Sequence, residues 1–353
     1  MPVTIRDVAR RAGVSPITVS RAFSGTHPVA EETRRRVLQA AEELGYVPNL
    51  VARGMVHKRV PMIGVVVPEL ANPFFVPIID AVQAVARERN HMVVISQSQS
   101  DPDMERASIN QFRQMRMAGA LITPASMAPE HLRSLRDHDM PIVVVARCWD
   151  DGDCVTVDDV AGGRLVAEHL LRLGHRRIGC VAHGGPGNVA VQARMKGFRS
   201  ALEAGGCSLP SEWVIRTQTV RLADAIQAAE AFLELSERPT AVFVTADRLA
   251  IGFIHRLRAR GVRVPEDVAV VGYDDIRYAE FLEVPLTTVA LPKYEMGKRA
   301  AEILFERISE EGDGKLYRVL LEPKLIVRAS CGAQPANRQG HPFAFESVSE
   351  NPS

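Results

Sequence analysis

No stretch of this 353-residue chain approaches the ~20 consecutive apolar residues that a membrane-spanning helix needs. No secretory signal pattern opens the sequence either, so the expectation is a cytoplasmic protein without a membrane partner. The five cysteines (Cys148, Cys154, Cys180, Cys207, Cys331) are odd in number, scattered, and form no C-x-x-C. Reduced thiols are expected rather than a disulfide frame or a zinc site. The ten histidines show no H-E-x-x-H spacing, and no G-x-S-x-G elbow occurs. The glycine-rich GGPGN at 184–188 lacks the G-K-[ST] ending of a phosphate loop and reads as a strand-to-helix turn. No metal, cofactor or catalytic constellation is therefore expected. The tail, 331–353, has no leucine heptad, is rich in Gly, Pro, Ser and Asn, and is expected to be disordered.

Net charge is nearly absent too, at +1, but it is unevenly spread. Residues 1–60 hold ten Lys or Arg against five acids, whereas the remainder holds 33 basic and 37 acidic residues. A basic head on a mildly acidic body suits phosphate binding by the head.

The head consists of helical signals. Thr4 and Asp7 form a T-x-x-D capping box, and Ile5, Val8 and Ala9 give an apolar face. Gly13 allows a sharp reversal. Ser15 then caps a second helix that begins at Pro16, where the missing N–H has no partner to lose. Val19 and Ala22 or Phe23 face inward. A third helix, about 30–44, turns Val37, Leu38, Ala41 and Leu44 to one side, and Gly45 ends it. Residues 48–59, PNLVARGMVHKR, keep a helical apolar pattern but are short and carry Gly54. Such a piece is marginal alone and reads as a linker that becomes helical when held.

Beyond residue 60, apolar runs alternate with amphipathic helices. The runs lie at 63–67, 92–96, 119–123, 141–145, 177–182, 240–245, 268–272 and 286–291. Continuous apolar strands separated by helices mean parallel sheets covered on both faces. About 270 residues of this pattern exceed one sheet and predict two doubly wound subdomains. Ligands bind at the carboxyl ends of such strands, which places a pocket between the subdomains.

The head segments TIRDVARRAGVSPITVSRAFSG and TRRRVLQAAEELGYVPN resemble the LacI/GalR family of bacterial transcriptional regulators. So do IGVVVPELANPFF, AEHLLRLGHRRIGCVAH, ARMKGFRSAL, PTAVFVTADRLAIG, VRVPEDVAVVGYDD and PLTTVALPKYEMGKRAAEIL in the core. The resemblance implies an all-α helix-turn-helix headpiece (1–47), a hinge helix (48–60) and a core (61–330) like type I periplasmic binding proteins. It divides the core into about 61–160 plus 291–320 and about 161–288 plus 321–330. It also implies a homodimer on a palindromic double-stranded DNA operator, acting as a repressor controlled by a small sugar-like effector.

Recognition helices present their first turns to base edges, here Pro16, Ile17 and Arg21. Arg21 can fork onto guanine O6 and N7, whereas Pro16 and Ile17 offer only apolar contact, for example with a thymine methyl. Thr4, Ser15, Thr18, Ser20 and Thr33 match phosphate-holding positions of the family. Asn49, Ala52 and Arg53 match its hinge contacts, and Met55 matches the wedge inserted into the minor groove. Gly54 departs from the pattern and raises the cost of folding the hinge.

In the core, Arg194 and Asp274 match positions that hold polar ligand groups, and Phe74 and Phe75 are placed to stack on a ring. Arg147, Arg221 and Asp247 complete the expected effector set, with Arg248 near the cleft. Ala146 stands where many relatives carry Asp, and Ala246 where many carry Asn. Fewer carboxylates and more guanidiniums favour an anionic effector, a sugar acid or phosphorylated sugar, over a neutral sugar. Each residue also has a structural alternative: Arg194 paired to an acid, Asp274 capping a turn, the phenylalanines in core. A solute-binding protein without a DNA role suits the core but not the head, and an α/β enzyme would need convergent catalytic groups that the sequence does not offer.

Overall fold

The computed structural model describes residues 3–24, 28–47, 59–136, 140–185, 187–309 and 315–333. The head holds α1 (Ile5–Ala12), α2 (Pro16–Ser24) and α3 (Glu31–Leu44). Local chemistry sets their ends. The Thr4 N–H and hydroxyl both donate to Asp7 Oδ2, at 3.0 and 2.6 Å. Gly13 closes α1 at φ +66°, a left-handed geometry that glycine adopts without a Cβ clash. Ser15 Oγ accepts the N–H of Thr18 at 3.1 Å, a cap typically worth ~1 kcal/mol. Val8, Val19, Ala22, Val37, Ala40 and Ala41 form the small core of the head.

The remainder forms two six-stranded sheets. The first joins β1 (Val60–Val67), β2 (Met92–Gln97), β3 (Met117–Ile122), β4 (Ile142–Val145), β5 (Asp153–Val157) and β11 (Arg318–Leu321). Its order is β11-β5-β4-β3-β1-β2, and every pair is parallel. The second joins β6 (Ile178–His183), β7 (Val214–Thr217), β8 (Ala241–Val244), β9 (Ala269–Asp274), β10 (Thr287–Ala290) and β12 (Lys324–Ile326). Its order is β12-β10-β9-β8-β6-β7, with only the β10–β12 pair antiparallel. The central strands are buried, apart from the half-buried His183 that ends β6, because helices cover both faces. This is the architecture that the alternating pattern predicts.

Amphipathic helices cover these sheets, and four of them matter for the cleft. They are α4 (Val76–Glu88), α7 (Asp159–Arg172), α8 (Val189–Ala204) and α10 (Asp247–Ala259); α5 (Pro102–Gln114), α6 (Pro129–Arg136), α9 (Leu222–Leu233) and α11 (Lys293–Ile308) complete the set. Helices α7 and α8 pack unusually closely. A Cβ on Gly163 would strike the Arg194 carbonyl, and one on Gly197 would strike that of Val160. That approach brings the first residue of α7, Asp159, beside Arg194 on α8. No helix among the described residues is long and apolar enough to cross a membrane.

Three expectations need correction. Leu38 does not face the head's core but is exposed; the buried stripe of α3 is Val37, Ala40 and Ala41, spaced three and four apart. The apolar runs missed β5, β7, β11 and β12, which are short, and three of them are sheet edges with half-exposed residues. Finally, Cys148 and Cys154 are not separate thiols but a disulfide, with their Cα atoms 5.2 Å apart. The pairing of β4 with β5 brings them together, since Cys154 lies opposite Val144.

Candidate functional site

Two surfaces carry the candidate chemistry. In the head, Pro16 and Ile17 begin α2 and are exposed, Ile17 at 65%. Arg21 is also exposed and follows Ile17 by one helical turn, so the two share a face. Val19 and Ala22 hold the opposite face in the core. Thr18 and Ser20 are half-buried; the Ser15 and Thr18 hydroxyls lie 2.9 Å apart at the start of α2. Thr4 caps α1, and Thr33 sits in the first turn of α3. Three hydroxyl-bearing helix starts are thus available to phosphate oxygens. The hinge residues Asn49, Ala52, Arg53, Gly54 and Met55 lie outside the described residues.

The second surface is the cleft at the carboxyl ends of the strands. Phe74 and Phe75 follow β1, Arg147 follows β4, and Asp159 follows β5. From the other sheet come His183 at the end of β6, Asp247 after β8 and Asp274 at the end of β9. A cavity of about 250 Å³ opens here, lined among others by Ala146, Arg147, Cys148, Asp159, Val189 and Ala193.

The charged groups differ in how they are held. Arg194 is buried and fully engaged. Its Nε donates to Asp159 Oδ1 at 2.8 Å and its Nη1 to the Thr245 carbonyl at 2.8 Å. Its guanidinium lies 3.9 Å from the centre of the Tyr273 ring, and Asp274 Oδ1 is 3.8 Å from Nη1. Tyr273 in turn donates its hydroxyl to Asp159 Oδ1 at 2.9 Å. Arg147, by contrast, is half-buried, lines the cavity, and has no hydrogen bond or ion pair among the described residues. Burial, then the neighbouring Arg194 charge, lower its pKa, while the Glu105 and Asp159 carboxylates oppose them. Arg248 is occupied by Glu69, 2.7 Å away on the loop after β1, in an ion pair that spans the cleft. Arg221 is exposed at the start of α9, where its backbone N–H bonds the Thr219 hydroxyl.

Asp247 is also committed internally. It accepts from the Thr288 hydroxyl at 2.6 Å and the Ile276 N–H at 2.9 Å, which fixes the ends of β9 and β10. Burial, then the Asp274 charge, raise its carboxyl well above the usual range. Burial raises Asp274 to about 6, against the opposing pull of Arg194 and Lys293. Asp274 sits at φ +116°, and Lys293 Nζ donates to its carbonyl and to that of Asp275. Burial, then Arg194 and Arg147, lower His183 to about 3, so this imidazole is neutral at physiological pH. Burial works against the Arg194 charge, but the Asp159, Tyr273 and Asp274 groups around it raise its pKa above the ordinary value.

Arg194 and Asp274 therefore meet, with Asp247 supporting Asp274 and with Arg147 near enough to Arg194 for the two charges to oppose each other. Phe74 and Phe75 form an edge-to-face pair, 5.0 Å between ring centres, and are buried in the core. Asp159, Thr245, Tyr273, Lys293 and Glu69 are partners that sequence reasoning missed. Tyr273 is inside the quoted GYDD, but nothing in the sequence pairs it with Asp159.

Residues 4–49 match the bacterial regulatory proteins of the lacI family, and residues 167–331 match the periplasmic binding protein-like domain. The chain is 34% identical over 330 residues to the HTH-type transcriptional repressor PurR of Vibrio vulnificus (strain CMCP6), covering 92% of this chain and 97% of that one. Among solved structures it is similar to a transcriptional regulator CelR–cellobiose complex, with TM-score 0.71, 33% identity, and 93% and 99% of the two chains covered. It is also similar to the lac repressor dimer bound to operator and the anti-inducer ONPF, with TM-score 0.84, 27% identity, and 94% and 100% covered. A helix-turn-helix head, a two-sheet cleft and full-length relatives at this identity agree: the chain belongs to the LacI family and is a DNA-binding transcriptional repressor.

Proposed function

We propose that the protein binds a palindromic operator as a homodimer and releases or holds it according to an anionic sugar-like effector, a sugar acid or a phosphorylated sugar. Ile17 and Pro16 touch apolar base surface, and Arg21 forks onto a guanine. Thr4, Ser15, Thr18, Ser20 and Thr33 fix the register on phosphates. Asn49, Ala52, Arg53 and Met55 form the hinge contact, Met55 as the wedge. The lac repressor dimer on its operator, similar over nearly the whole chain, supports the dimeric arrangement. So do the exposed Leu222, Tyr278 and Phe281, each about 60% exposed or more on the second subdomain.

The observation that carries the effector class is Arg147. A guanidinium half-buried beside a cavity, which Glu105 and Asp159 favour only from a distance and no acid among the described residues pairs directly, has room for an anionic partner. A carboxylate or phosphate in the cavity completes it with a bidentate contact. Asp159, which lines the same cavity, ties it to Arg194 and through Arg194 to Asp274, while the paired Arg248 and the exposed Arg221 are less suited to the ligand. A neutral sugar is the second reading, and the cellobiose in the similar CelR complex favours it. No catalytic role is proposed: the paired acids Asp274 and Asp275 are engaged by Arg194, Lys293 and Arg328.

Selection from a random duplex pool at physiological salt tests the DNA half. Enrichment of a palindrome with half-sites about one helical turn apart is the expected result. Uniform recovery of all sequences, with and without sugar acids, would refute it.

A further inference from the structure

The disulfide at the cleft is used by neither the DNA role nor the effector role. Cys154 is fully buried on β5, with its Cα 5.2 Å from that of Cys148, within the span a disulfide bridges. Cys148 is half-buried and lines the cavity next to Arg147. The other three cysteines are all buried. The Cys148–Cys154 pair is thus the one that small thiols reach, through the cavity and at Cys148.

The two ends of this bond are held very differently. Cys154 is fixed in the middle of a sheet, between β4 and β11. Its neighbour Asp153 is gripped by Arg307 at 2.8 and 2.9 Å and by the Tyr317 N–H at 2.9 Å. Cys148 lies on the connection 146–152, whose other anchors flank it: Arg318 donates to the Asp150 carbonyl and lies 3.6 Å from the Asp150 carboxylate. The Ala146 N–H reaches the Val155 carbonyl at 2.9 Å, and the buried Trp149 indole donates to the Asp153 carbonyl at 3.3 Å. Between those anchors Arg147 makes no bond of its own, so its place is set by the backbone on which Cys148 is tethered.

We propose that Cys148 and Cys154 form a reversible thiol–disulfide switch at the rim of the effector cleft, in which the disulfide holds Arg147 in place and reduction frees it. In the reducing direction a low-molecular-weight thiolate attacks Cys148 Sγ. The Cys148–Cys154 bond breaks, and Cys154 leaves as a thiolate that takes up a proton. A second small thiol resolves the mixed disulfide at Cys148 and departs as the small disulfide, so two thiols are oxidised as two protein thiols form. A small disulfide such as oxidised glutathione drives the reverse. Trp149 remains as an anchor after reduction, so the connection loosens while the sheet stands. The consequence for ligand binding rests on the anionic-effector reading; the switch itself does not.

The full-length protein is equilibrated in glutathione buffers poised oxidising or reducing, then alkylated and mapped by mass spectrometry. Cys148 and Cys154 are expected to be protected in the first buffer and labelled in the second. Trypsin cleavage after Arg147 is expected to be about tenfold faster in the reduced protein, and gluconate or phosphogluconate to bind about tenfold more weakly, within the usual range of coupling between sites. Cys148→Ser and Cys154→Ser should each behave as reduced in both buffers. If neither probe binds either form, the effector reading fails, and a cleavage difference still supports the switch. Free Cys148 and Cys154 in the oxidising buffer, or equal cleavage rates, would overturn the switch. Equal affinity of a bound probe in both states would overturn its coupling to the cleft.

Discussion

The head and the cleft prepare for their ligands in opposite ways. In the head, the base-reading candidates stand in solvent: Ile17 and Arg21 share an exposed face, and only the far side of α2 is packed. In the cleft, most candidates already have partners within the chain. Arg194 is held by Asp159, Thr245 and Tyr273, Asp247 by Thr288 and Ile276, and Arg248 by Glu69. The reading face of the head is therefore open to solvent, and substitutions there are expected to change recognition more than folding. The cleft is a pre-built polar network, where most substitutions change stability first. Arg147 is the exception, a cleft residue that makes no hydrogen bond or ion pair among the described residues.

That contrast can be broken or sharpened by a series of variants. Arg194→Met leaves Asp159 buried without its cation and is expected to cost about 3–5 kcal/mol of stability, measured by urea unfolding. Arg21→Ala removes about 1–3 kcal/mol of discrimination at one base pair, read by competition between operator variants at fixed salt. Arg147→Met is expected to hold stability within about 0.5 kcal/mol of the parent. It weakens sugar-acid binding about tenfold, or ~1.4 kcal/mol, by calorimetry. Equal destabilisation by the Arg194 and Arg147 variants would erase the distinction drawn between them.

Protonation gives a smaller, graded effect. Burial raises the Asp274 carboxyl from 3.8 to about 6. The folded chain thus holds this proton more tightly than the unfolded chain. The resulting stabilisation is fully present below about pH 3.8 and is lost as the pH rises through about 6. The same proton removes a negative charge from the cleft, so affinity for a sugar acid should increase as the pH falls from about 7 to about 5. Calorimetry at the two ends checks the sign, and weaker binding at the acid end would contradict it. The smallest effect is expected from Glu69→Gln, which cuts the partly exposed ion pair with Arg248 across the cleft. A change of up to about 1 kcal/mol in effector affinity, and none in operator binding without effector, is the expected outcome.

The contrast also governs what the sequence reveals. The head's caps join residues three positions apart, as Thr4–Asp7 and Ser15–Thr18 do, so both are readable along the chain. Its one error, Leu38, is a neighbour of the true stripe, where a period of 3.6 leaves either residue plausible as an inward position. In the core, the long apolar central strands announce themselves, whereas the edges β7, β11 and β12 bury too little to leave a run. The cleft's residue types are legible but its pairings are not. Arg194 meets an acid 35 positions away and Arg248 one 179 positions away. Local periodicity carries no information about either. The disulfide joins cysteines only six positions apart, yet it escaped as well, because the registry of β4 against β5 is what brings Cys148 to Cys154.

The most direct test of the account is operator affinity of the full-length protein at fixed salt, titrated with gluconate, phosphogluconate and a neutral sugar, alongside Arg147→Met. The account predicts that an acid shifts operator affinity about 5–150-fold, that the neutral sugar does not, and that the Arg147 variant binds operator normally while losing most of the shift. A shift produced by the neutral sugar alone, unchanged in the variant, would contradict it.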